Sequence, residues 1–154
     1  TEIITQAQYL GINAPLLGSD TLDDNMVLDA ALDTDIQLYV STFYQEGGAP
    51  AFDEGIKNYI NSNSAAREAN GGNDTIAAVS AMGYDAYYVA LEAIKAAGSA
   101  DPAAIKAALP GVTYTGVSGD VAFDSNGDAI RDTAYIKHST NTGTWELETV
   151  QQAS

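Results

Sequence analysis

Apolar positions in the first half of the chain alternate between helical and extended spacing. Ile3, Ile4, Ala7 and Leu10 recur at helical intervals and Gly11 follows as a C-cap, which predicts a first helix. After Pro15, the run Leu16-Leu17-Gly18 suits a buried strand, with Ser19-Asp20-Thr21 at its carboxyl end. Asp23-Asp24-Asn25 offers N-cap chemistry for a second helix through Met26, Val27, Ala30 and Ala31. Ile36 to Phe43 alternates as a strand, and Phe52, Ile56, Tyr59 and Ile60 share one face of a third helix. Residues 61–74, rich in Asn, Ser, Ala and Gly, are expected to form a mobile loop or a frayed helix end. From about Thr75 to Ala97 a long helix is apolar nearly all round. Its stripe of Val79, Met82, Ala86, Ala90, Ile94 and Ala97 is expected to be buried on several sides, as are Tyr84, Tyr87, Tyr88 and Leu91. Asp101-Pro102 starts a short helix. Strands are then expected at 117–123, 133–137 and 144–149, with Asn-Gly and Thr-Gly turns between them.

The order defines an α/β protein whose first half has the strand–helix alternation of an open parallel sheet. The second half does not continue that alternation. With 154 residues, 45% hydrophobic and 18% charged, the chain has the composition of a globular domain or a large piece of one. Its formal charge of −15 disfavours phosphate-driven binding to nucleic acid or anionic lipid. No apolar run reaches the roughly 18 residues of a helical membrane span. The absence of cysteine excludes disulfides, thiolate catalysis and cysteine-rich zinc sites, and His138 is the single histidine. The chain begins at Thr1 with neither a basic nor an apolar leader pattern, so it is expected to be processed or to be an internal piece.

Asp20 is the candidate functional residue. It lies at the carboxyl end of an expected parallel strand, where open α/β sheets place their ligand crevice. A carboxylate there can receive an ammonium group, coordinate a metal or act as a base; the competing reading is a helix cap. Asp124-Ser125-Asn126-Gly127-Asp128 has its glycine at the fourth position of the loop, not the sixth of a calcium-binding EF-hand, and reads as a hairpin turn. The acids Asp23, Asp24, Asp29, Asp33 and Asp35 read as a solvated face, and His138 reads as structural. Asn73-Asp74-Thr75 matches a glycosylation sequon that carries meaning only in a secreted eukaryotic protein.

The ordered set Gln6-Ala7-Gln8-Tyr9-Leu10-Gly11, Leu16-Leu17-Gly18-Ser19-Asp20, Gly83-Tyr84-Asp85-Ala86 and Phe123-Asp124-Ser125-Asn126-Gly127-Asp128 resembles the carboxyl-terminal part of the type I periplasmic binding proteins. The similarity is to their branched-chain amino-acid (Leu/Ile/Val) class, which feeds ABC importers. Leu91 to Ser99 and Asp101-Pro102 extend it over essentially the whole chain. The resemblance implies two flavodoxin-like lobes with the ligand between them, of which only a part is present. Residues 1–61 would belong to the second lobe, 62–112 would be a mobile loop and helices of the first, and 113–154 a hinge return with closing strands. Asp20 would hold the α-ammonium of a small amino acid, flanked by Ser19 and Thr21, and Val79 would contact the ligand from the first lobe. No catalysis and no cofactor are implied. The expected partners are the importer's membrane subunits and the missing amino-terminal portion, or a swapped oligomer. The expected place is outside the cytoplasm, periplasmic or as a lipid-anchored lipoprotein. The alternatives are a ligand-sensing domain of a receptor or regulator with the same fold, and a receiver-like enzyme with Asp20 as the reactive acid.

Overall fold

The computed structural model describes residues 1–152; Ala153 and Ser154, the end of the expected last segment, lie outside the described residues. The chain forms two compact units. The first comprises Thr1–Ala78 and the described residues from Thr133 onward; the second is Val79–Asp132, inserted between them.

In the first unit, helix α1 (Glu2–Tyr9) is followed by strand β1 (Leu16–Gly18), a 3-10 turn (Asp20–Leu22), helix α2 (Asn25–Leu32) and strand β2 (Leu38–Thr42). β1 and β2 pair in parallel, the expected βαβ arrangement, with Leu16 opposite Leu38 and Gly18 opposite Val40. The Asp24 carboxylate caps α2 by accepting the Met26 N–H at 2.7 Å. Strands β6 (Thr133–Ser139) and β7 (Trp145–Gln152) complete the sheet in the order β1-β2-β6-β7, both added antiparallel. Side chains of β2 alternate, so Leu38, Val40 and Thr42 point to one face and are buried there. Ile4, Ala7, Val27, Ala31 and Ile36 join Leu38 in the core on that face, with Trp145 packed against it. On β1, Leu17 faces the other way and is 84% exposed, although Leu16-Leu17-Gly18 reads as a strand buried on both faces.

Helix α3 (Pro50–Ser62) follows β2. Tyr44 fixes the loop between them: its hydroxyl donates to Asp53 at 2.6 Å and accepts from the Ala49 N–H at 3.1 Å, while the Gly47 N–H donates to Asp53 at 2.7 Å. Burial and the Asp53 carboxylate together push the Tyr44 phenol well above its usual range.

Residues 61–74, expected as a mobile loop or a frayed helix end, hold a separate capped helix and a bonded loop. Ser64–Ala69 form helix α4, capped by Asn63, and the following loop is tied down by Asn25, which donates to Asn70 O at 2.8 Å and to Asn73 Oδ1 at 2.9 Å. The polar side chains that read as loop composition are the loop's internal hydrogen-bond partners. These bonds also tie residues 70–75 to α2, and residues 62–78 lie in the first compact unit.

Helix α5 (Ala78–Ala97) opens the second unit at Val79 and is followed by α6 (Pro102–Ala108), capped by Asp101, and by a three-stranded antiparallel sheet of β3 (Tyr114–Gly116), β4 (Gly119–Phe123) and β5 (Ala129–Ile130). Asp124 to Asp128 is the turn between β4 and β5, as expected, and hydrogen bonds from the Asp128 and Asn126 backbone N–H groups hold the Asp124 carboxyl below its usual range. The boundary expected after Val112 moves to Asp132, because the β3–β4 turn is bonded to α5. The buried Asp85 carboxylate accepts the Val117 N–H at 2.8 Å, the Ser118 N–H at 2.7 Å and the Ser118 hydroxyl at 2.5 Å. Arg131 in turn donates to Ser118 O at 2.9 Å and to its Oγ at 3.1 Å.

This clamp overturns the expected face of α5. Ala81, Asp85, Val89 and Ala93 are its buried stripe, whereas Val79 is 58% exposed and Tyr87 and Ile94 are also open to solvent. Alanine permits close approach along that stripe, and the carboxylate is accommodated there because three donors meet it. Gly116 is required at the same point: a Cβ there would lie 2.3 Å from Asp85 Cγ. Asp85→Asn keeps the volume but turns an amide donor toward one of these donors. It is expected to cost about 1–3 kcal/mol, with faster hydrogen exchange at the Val117 and Ser118 amides; unchanged exchange there would refute the clamp.

Candidate functional site

Asp20 stands immediately beyond the carboxyl end of β1, on the 3-10 turn that begins the crossover to α2. The turn forms because Leu22 N–H donates to Ser19 O at 3.0 Å and Asp23 N–H to Asp20 O at 3.1 Å. Gly18 lets it fold back tightly, since a Cβ there would lie 2.5 Å from Leu22 Cδ1. Ser19 and Thr21 are exposed on either side of Asp20, and their hydroxyls bond each other at 2.9 Å. Asp20 is half-buried, and among the described residues no hydrogen bond or ion pair engages its carboxylate. It is not the cap of α2, a role that Asp24 takes.

The structure thus brings together Ser19, Asp20 and Thr21. Val79 lies elsewhere in the chain's organisation, as the first residue of the second unit, one position after Ala78.

Asp23 and Lys137 escaped the reading of the sequence. Asp23 is 3% exposed, not part of a solvated face. Its carboxylate receives Lys137 Nζ at 2.9 Å, the Thr42 hydroxyl at 2.8 Å and the Ala78 N–H at 3.1 Å. Lys137 points to the same sheet face as its partner Val40 and is buried, next to a register irregularity between Ile136 and Lys137. No local signal marked it: in the sequence Lys137 alternates with Thr133 and Tyr135, while the aliphatic Ala134 and Ile136 take the opposite face. A buried lysine needs a buried anion. Lys137 compensates the charge of Asp23, whereas among the described residues no cation pairs with Asp20.

Beyond β2, Lys57 pairs with Glu46 and lies 4.0 Å from Asp74. The hydrogen bond to Glu46 raises the Lys57 pKa, while the Asn61 amide and nearby Lys57 and Arg67 hold Asp74 below its ordinary value. His138, which lacked an evident partner in the sequence, has Glu148 at 3.1 Å and Glu146 at 3.8 Å on the neighbouring strand. Among the described residues no cluster of three or more His, Asp or Glu side chains could hold a metal ion, and no helix is long and apolar enough to cross a membrane. The arrangement at the end of β1 is one half-buried carboxylate flanked by two exposed hydroxyls, chemistry able to accept a cation.

The parallel βαβ unit with its antiparallel extension defines an α/β fold. The chain belongs to the periplasmic binding protein family, whose profile matches residues 1–143, and it has the type I fold of that family. The leucine-binding protein LivK of Thermotoga maritima is 29% identical, with a TM-score of 0.73 over 97% of this chain and 41% of its own. An ABC transporter substrate-binding protein of Desulfitobacterium hafniense, solved in complex with Leu, is 26% identical, with a TM-score of 0.62 over 95% of this chain and 39% of its own. A solute-binding protein of R. palustris in complex with benzoate shares the fold at 17% identity, with a TM-score of 0.68 over 99% of this chain and 40% of its own. The chain thus spans about two fifths of the length of these proteins. No curated protein matches the sequence.

Proposed function

We propose that this chain is the carboxyl-terminal part of an extracytoplasmic solute-binding protein that delivers a small amino acid, of the Leu/Ile/Val type, to the membrane subunits of an ABC importer. The observation that carries the reading is the half-buried, unpaired Asp20 carboxylate at the end of β1. A zwitterionic ligand needs an anion for its ammonium, and a carboxylate already desolvated in part and without a partner among the described residues supplies one at little reorganisation cost. The family match and the two relatives whose descriptions name leucine support an amino acid as the ligand. Ser19 and Thr21 are assigned to polar contacts beside Asp20, and Val79 to an apolar contact.

On this reading the first unit belongs to the second lobe and Val79–Asp132 to the first lobe. The donors for the ligand's carboxylate come from the three fifths of the family's length that the chain does not span. The same missing portion covers the bare sheet face at Leu17 and the exposed side of α5, which parallel sheets and apolar helices do not leave open. Binding is non-covalent, with no chemical step.

Titration calorimetry of the full-length protein against leucine, isoleucine, valine, alanine, glutamate and benzoate tests the proposal. Heat is expected with at least one aliphatic amino acid. Silence for every amino acid, with a signal for benzoate, would overturn it.

A further inference from the structure

We infer that Asp23 is a positioning residue for amino-acid binding: through the 3-10 turn it shares with Asp20, its buried carboxylate holds the Asp20 carboxylate in place for the ligand's ammonium. The inference rests on the reading of Asp20 proposed above. The turn is short, and its outer residues Ser19 and Thr21 are exposed, so packing alone does not immobilise it. Two backbone bonds close it, one of them from the Asp23 N–H to the Asp20 carbonyl. The other end of Asp23 is fixed by three donors from distant parts of the chain: Thr42 at the end of β2, Lys137 on β6 and the backbone of Ala78. Asp23 thereby transmits the position of the rigid sheet to Asp20 across a single hydrogen bond.

The pair with Lys137 has a second consequence. Two uncompensated carboxylates in one short segment would repel each other. Because Lys137 pairs with Asp23, that carboxylate is compensated within the first unit and adds no bare negative charge to the segment that carries Asp20. Apolar residues of similar volume would serve packing at least as well as a buried ion pair, so a role in fixing geometry accounts for its presence where a role in stability does not.

Within the first unit, Asp23 also holds the residue at which the chain leaves for the insertion. Ala78, held by Asp23, directly precedes Val79, and Lys137 follows soon after the return at Thr133.

A double-mutant cycle in the full-length protein, read as L-leucine affinity by titration calorimetry, tests the inference. Its corners are the parent, Asp20→Asn, the pair replacement Asp23→Asn with Lys137→Met, and the combination of all three substitutions. Replacing the pair together avoids stranding Lys137. The pair replacement is expected to weaken leucine binding at least about tenfold in the parent and less than about threefold in the Asp20→Asn background, since its effect passes through Asp20. A destabilised but otherwise unconnected site would show the same loss in both backgrounds, and that outcome, or no loss in the parent, overturns the inference. If the pair replacement does not fold, Thr42→Val, which removes one of the three donors, is put through the same cycle with the same criterion. Should Asp20→Asn alone leave leucine binding unchanged, or the parent not bind leucine, the underlying reading fails and the inference with it.

Discussion

Lys137→Met is expected to destabilise the first unit by about 3–5 kcal/mol, because it strands the buried Asp23 carboxylate without its counter-charge. The two side chains are 3% and 1% exposed, so water cannot take over the lost interaction without opening the sheet. Thr42 and the Ala78 N–H would still donate to Asp23, which places the cost within that range and short of complete unfolding. Replacing Asp23 by Asn in the same protein should restore much of the loss, since an amide oxygen can still accept from Thr42 or Ala78 and no net charge remains buried. Urea unfolding of the full-length protein, followed by a probe in the first unit, measures both values. A Lys137→Met protein within about 1 kcal/mol of the parent would mean that the pair is solvated in solution.

That pair also shows where reading a sequence stops. α1, α2, α3 and β2 were legible because each repeats apolar residues at its own period, β1 as a short apolar run after Pro15, β6 and β7 from the turn residues between them, and the caps Asp24 and Asp101 follow from local side-chain chemistry. Asp20 was legible because a strand end is a local feature and the crevice rule needs nothing more. Asp23 and Lys137 are 114 residues apart, and no periodicity links them. The face of α5 was misassigned for a related reason. Counting apolar residues favoured Val79, Met82 and Ala86, while the buried stripe contains Asp85, whose partners lie on a turn 32 and 33 residues later. Residues 64–69 form a helix in a segment whose composition reads as loop, because Asn63 caps it and Asn25 holds the chain that follows. A polar side chain with a distant partner is where a local rule gives the wrong answer.

The charge on Asp20 is the core of the account. Asp20→Asn retains the shape of the side chain and removes only the charge. Since no described residue bonds the carboxylate, the melting temperature of the free protein is expected to stay within a degree or so, whereas a ligand ammonium would lose its ionic partner. Truncating one side of such a buried, hydrogen-bonded charge pair costs about 2–5 kcal/mol, or roughly 30-fold or more in affinity. The direct measurement is the leucine affinity of the full-length Asp20→Asn protein against that of its parent, by titration calorimetry. The account predicts at least that thirtyfold weakening with an unchanged melt; leucine bound equally tightly by both would contradict it.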